Sequence, residues 1–142
     1  MKFSISSITI LSILLSLPSL PANADEVRIT TAQFSHQSNN RWTIDVTLKH
    51  QDSGWKHFAD NWRVVDSDRT VLGNRILHHP HINEQPFTRS LTNIVIPPKT
   101  KTIYIEARDN VHGWSINRLK IDLSKARYGK LTVTAEALQP EE

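Results

Sequence analysis

Seven histidines carry most of the side-chain chemistry on offer in this 142-residue sequence. Five of them, His50, His57, His78, His79 and His81, fall within 32 residues, and His112 follows further along. Neutral imidazole is a good ligand for Zn²⁺ and Cu²⁺, and a carboxylate commonly completes such a set. The sharpest element is His79-Pro80-His81. Residues i and i+2 of an extended segment project to one side, and Pro80 restricts the backbone between them. His79 and His81, a third nitrogen from His112 or His57 and the Glu84 carboxylate are therefore the expected ligands of an N3O site for Zn or Cu(II). The same spacing also suits histidines that only hydrogen-bond a surface loop, and the sequence leaves that role open.

Other chemistries are thinly supplied. The chain has no cysteine, which removes thiol nucleophiles, iron–sulfur clusters, lipid attachment at a cysteine and copper sites built on a thiolate. Its one methionine is Met1. Ser115 lies near His112 and Asp109 in the sequence, but no nucleophile elbow surrounds it. Four glycines do not make a phosphate-binding loop. The expectation is a non-enzymatic metal-binding domain.

The elements that must position these residues read as strands. In 41–50, Trp42, Ile44, Val46 and Leu48 share one face, while Thr43, Asp45, Thr47 and Lys49 take the other. The same period of two recurs at Ile103, Ile105 and Ala107, and at Leu119 and Ile121. With the turn residues between the runs, seven strands are predicted near 27–34, 41–49, 58–66, 70–77, 88–96, 101–109 and 117–123, and 128–136 as an eighth strand or an ordered tail. These predict an all-β domain, a two-sheet antiparallel, immunoglobulin-like sandwich over residues 25–136. Strands that alternate up and down send the loops after the second, fourth and sixth to one pole. That parity gathers His50, Trp55, His57, His79, His81, Glu84, Asp109, His112 and Trp114 at one end.

The first 24 residues have their own organisation. Lys2 is followed by an apolar run from Ile8 to Leu17, then by Pro18, Pro21 and the small residues Ala22-Asn23-Ala24. That is the pattern of a secretory signal peptide cleaved after Ala24, and the run is too short for a membrane span. A secreted or periplasmic protein is expected, with no membrane span in the mature chain. Removing the leader leaves 118 residues, enough for one domain with a real core. Basic residues are dispersed instead of clustered, so nucleic acid is not an expected partner. Residues 137–142 read as a disordered tail.

Two resemblances refine this picture. The stretch from Ile96 to Leu123 resembles the final hairpin of immunoglobulin-like and fibronectin type III domains, and Trp62 sits where such domains often bury a tryptophan. The segments His79-Pro80-His81-Ile82-Asn83-Glu84-Gln85-Pro86-Phe87-Thr88-Arg89 and Asp109-Asn110-Val111-His112-Gly113-Trp114 resemble the double signature of a family of small secreted bacterial β-sandwich proteins. That resemblance implies that the two loops form one surface, and it implies no activity. Gln85 and Arg89 are expected to hydrogen-bond the long loop in place.

Two further roles suit the same pole. One is an interaction module for an envelope protein or glycan, built on Trp55, Trp114, Asp109 and Arg89, with the tryptophans stacking on the partner or capping the core. The other is a metal-assisted hydrolase, in which three histidines leave a coordination position for water.

Overall fold

The computed structural model describes residues 26–135. The signal peptide predicted for residues 1–24, its expected cleavage point and the predicted tail 137–142 lie outside the described residues. Nine strands follow in order: β1 (Arg28–Gln37), β2 (Arg41–Lys49), β3 (Ala59–Asp66), β4 (Val71–Ile76), β5 (Phe87–Val95), β6 (Thr102–Asp109), β7 (Gly113–Trp114), β8 (Leu119–Asp122) and β9 (Lys130–Thr134). They form two antiparallel sheets. One has the order β5-β2-β1-β9; in the other, β4-β3-β6 is completed by β7 and β8, which both pair with β6.

The chain is thus all-β and sandwich-like, as its alternation predicts. In the lettering of immunoglobulin-like sandwiches, β1, β2 and β5 are neighbours as A, B and E are. Likewise β3, β6 and the β7–β8 pair are neighbours as C, F and G are. The predicted run at 117–123 is shortened to β8, and a separate two-residue strand, β7, precedes it. Between the two strands, Ser115 and Asn117 turn their side chains to the Glu26 carboxylate, and the Asn117 backbone N–H donates to the Ser115 hydroxyl. The eighth run is a true strand: β9 pairs with the free edge of β1, with Leu131 opposite Phe34 and Val133 opposite Ala32.

Inward rows make the core. Ile44, Val46 and Leu48 of β2 face the interior, as do Ile103, Ile105 and Ala107 of β6, and all six are fully buried. Trp62 of β3 is also fully buried at the centre. Each large aliphatic side chain removed from water stabilises the fold by about 1.5–3 kcal/mol before entropy is counted. Both rows run on into polar residues at one pole. His50 lies two residues past Leu48, and Asp109 two past Ala107, and both are buried. The alternation that builds the core therefore delivers an imidazole and a carboxylate to its open end.

Candidate metal centre

His50 begins the segment that joins β2 to β3. Its Nδ1 is 2.6 Å from Oδ1 of Asp52, a carboxylate wholly withdrawn from solvent. Asp52 also accepts backbone N–H bonds from Ala59 at Oδ1 (2.9 Å) and from His81 at Oδ2 (2.8 Å). A carboxylate accepts here, so His50 donates from Nδ1, and that bond sets the direction in which its Nε2 points. One buried group thereby fixes a ring orientation and ties three segments together.

His57 comes from the same segment through a tight reversal. Ser53 N–H donates to the His57 carbonyl and His57 N–H to the Gly54 carbonyl, with Gly54 at φ +146°, a conformation that favours glycine. The His57 ring meets that of His50 edge-to-face at 4.9 Å and that of His112 at 5.1 Å. Its Nε2 is buried and 3.3 Å from Asp109 Oδ1, yet it makes no hydrogen bond.

Asp109 ends β6 and organises the next turn. Its Oδ1 accepts from the backbone N–H groups of Val111 (2.9 Å) and His112 (2.7 Å), and His112 Nδ1 lies 3.0 and 3.2 Å from its two oxygens. Gly113, at φ +78°, then re-enters the sheet. Burial raises the Asp109 carboxyl, but the His112 and Val111 amides and the neighbouring His112 ring outweigh it and hold the group below the ordinary carboxylate range. Asn110 fastens this turn to the His57 segment. Its Oδ1 accepts from Phe58 N–H, its Nδ2 donates to the Trp55 carbonyl, and its own N–H donates to the Phe58 carbonyl.

His50, His57 and Asp109 each offer a ligand atom, and these atoms lie within 4.8 Å of one another. Two donors at tetrahedral positions on Zn²⁺, each about 2.0–2.1 Å from the ion, stand about 3.3–3.4 Å apart. The His57–Asp109 separation already has that value. The three side chains together could hold a metal ion.

The expected ligand set is divided by the structure. His57 and His112 adjoin Asp109, but His79, His81 and Glu84 form a second arrangement on the loop before β5. There the His81 ring stacks on Phe87 at 4.0 Å, and the His79 ring is tilted against it at 4.6 Å. Arg89 places Nη2 2.8 Å from His81 Nε2. Guanidinium only donates, so His81 is neutral, accepts at Nε2, and has no lone pair left for an ion. Its protonation is disfavoured below the usual histidine range, first by burial, then by the charge of Arg89 and by His79. Glu84 is turned to the same guanidinium at 3.2 Å, which holds its carboxyl low. His79 Nδ1 is 3.1 Å from the Pro80 carbonyl.

Gln85 takes the bracing role expected of it, accepting from His50 N–H and donating to the His81 carbonyl. Arg89 does the same for His81 and Glu84. Trp55 is 68% exposed on the pole, packed edge-on against Phe58. Trp114 instead pairs with Arg108 on β6 and lies on the outer face of that sheet, covered by the Arg63 guanidinium 3.7 Å above its ring.

The sequence reading named His50 at this pole but left it out of the ligand set, and it did not single out Asp52. The usable signal was the inward alternation, since His50 continues the row of Ile44, Val46 and Leu48.

No family model matches the chain, and no solved structure matches it. It is similar to a protein named "Putative lipoprotein" from Halomicrobium mukohataei, with 38% identity over 79 residues. The matched stretch covers 56% of this chain and 38% of the relative, so the chain spans well under half of that protein's length. Among the described residues, no helix is long and apolar enough to cross a membrane.

Proposed function

We propose that this protein is an exported domain of the cell envelope that binds one divalent transition ion, Zn²⁺ or Cu²⁺, through His50, His57 and Asp109, and that its role is non-enzymatic. The observation that carries the reading is the His57 Nε2. It is a buried nitrogen without a hydrogen-bond partner, held at ligand spacing from a carboxylate whose pKa its surroundings lower. Burying such an atom without a partner is unfavourable, and an ion supplies the partner. Asp52 behind His50 and His112 behind Asp109 are the hydrogen-bonding groups that orient the ligands.

The leader-like residues 1–24 and the name of the Halomicrobium relative support an envelope location. Lipid attachment at a cysteine is not available within these 142 residues. Isothermal titration of the exported chain, purified without a histidine tag and stripped with EDTA, tests the proposal. One saturable equivalent of Zn²⁺ or Cu²⁺ is expected. Undiminished uptake in His57→Ala overturns the assignment.

The exposed Trp55 favours a second reading, in which the same pole also docks an envelope protein or glycan. Binding to an immobilised cell-wall glycan that disappears in Trp55→Ala, with metal uptake intact, would support it. Equal binding by both chains would remove it.

A further inference from the structure

We propose that the ion held by His50, His57 and Asp109 keeps one coordination position open to solvent, and that this position takes an exogenous monoanionic donor such as a carboxylate. The inference rests on the metal assignment above and concerns what completes the coordination sphere. Three protein donors fall short of the four that Zn²⁺ requires, so a further ligand must come from somewhere.

The protein side of the site is closed. His50 and Asp109 are buried and continue the two inward rows of the core, with Leu48 and Ala107 beneath them. The opposite side faces the exposed rim: His57 and His112 have side chains 23% and 41% exposed, and Trp55 and Val111 are exposed on the same two segments, while the His57 Nε2 itself is buried.

His112 is the protein group best placed to supply a fourth ligand, and its geometry argues against it. Its Nδ1 is directed at both oxygens of Asp109, and its own backbone N–H is bound to Oδ1. The two lone-pair directions of an imidazole diverge across the ring. With Nδ1 facing the carboxylate, Nε2 faces away from the ion that the carboxylate would bind. The Asn110 bonds to Phe58 and Trp55 fix the turn that carries His112, and the Nδ1 contacts with Asp109 hold the ring over the carboxylate. His112 is therefore a positioning residue for Asp109.

Charge selects the class of incoming ligand. Two neutral imidazoles and one carboxylate leave a divalent ion with one net positive charge. A monoanionic oxygen or nitrogen donor cancels it, and the exposed Lys56, next to His57 in the chain, carries a further positive charge.

Cobalt(II) loaded into the EDTA-stripped full chain, titrated with azide and with acetate, tests this by visible absorption. Uptake of one equivalent, followed by a saturable shift of the d–d bands with each anion, is expected. His112→Ala, which removes a group that orients Asp109, should take up cobalt more weakly yet show the same anion-induced shift at saturating cobalt, with far-UV circular dichroism confirming its fold. Cobalt uptake with a spectrum that neither anion moves overturns the open position alone. A response that appears only in His112→Ala also overturns it, because His112 would then be the fourth ligand. Failure to take up cobalt overturns the metal assignment and this inference together.

Discussion

Two histidine-rich regions share one pole, and they spend their nitrogens in opposite ways. On the loop before β5, His79 and His81 have the spacing that most invites a metal reading. Yet Arg89 occupies the His81 lone pair, Phe87 covers its ring face, and Glu84 is drawn to the guanidinium. Around β2, β3 and β6, His50, His57 and Asp109 are scattered in sequence and converge in space, with the His57 Nε2 beside the Asp109 carboxylate. What decides ligand capacity is the partner each nitrogen already has. An arginine beside a histidine removes a ligand, whereas a carboxylate beside one prepares it.

Asp52 touches both regions, and its removal should have the largest effect. Asp52→Ala strands the His50 Nδ1 proton and the buried N–H groups of Ala59 and His81. Each buried donor left unsatisfied costs about 1–3 kcal/mol, and loss of a buried charged network costs about 3–5 kcal/mol. Urea denaturation of the metal-free chain should show a loss of that order. A loss below about 1 kcal/mol would mean that water or a shifted side chain replaces the carboxylate.

The contrast between the regions is broken most directly by alanine at each in turn. His57→Ala should weaken Zn²⁺ or Cu²⁺ binding by at least about 100-fold, because it deletes a ligand, while His79→Ala should leave affinity within about threefold. Competition with a chromophoric chelator gives both numbers. A larger loss at His79 than at His57 would reverse the assignment of the two regions.

How far the sequence reaches is clear from these same residues. The strands, the sandwich and the common pole follow from period-two alternation and strand parity, because burying one face of each strand is the dominant energy and leaves a regular trace. Even the eighth strand was legible in Leu131 and Val133. The ligand set was only partly legible, since His50 and Asp52 mark it by continuing an inward row with polar residues. The neutralisation of His81 by Arg89 was not, because a residue eight positions away becomes its partner only after the loop closes. The place of Trp114 depended on which face of β7 it took, and one residue of register decides that.

Removing that arginine should sharpen the comparison further. Arg89→Met keeps the aliphatic stem and frees the His81 Nε2, so the His79–His81 pair regains its lone pairs. Titration should then show a second, weaker uptake beyond the first equivalent, together with a stability loss of about 0.5–1.5 kcal/mol for the missing hydrogen bond. An unchanged stoichiometry would show that burial under Phe87 excludes the ion even when the nitrogen is free.

The smallest expected effect is in pH, and its sign follows from His81. Burial, Arg89 and His79 lower its folded pKa beneath the ordinary 6.5, so the unfolded chain takes up the proton first as pH falls. Its neutral ring contributes full stability above about 6.5, and that contribution is lost as pH falls toward the lowered folded value. Asp109 and Glu84, whose folded pKa values are also lowered, act in a separate window, where stability is lost as pH falls below about 4. Urea denaturation of metal-free chain at pH 7.5 and 5.5, for wild type and His81→Gln, isolates the histidine contribution. Wild type should lose more stability over that interval than His81→Gln. Equal losses would place the titrating group elsewhere among the pole histidines. A gain on acidification in wild type alone would mean that His81 is protonated in the fold, which the Arg89 contact does not permit.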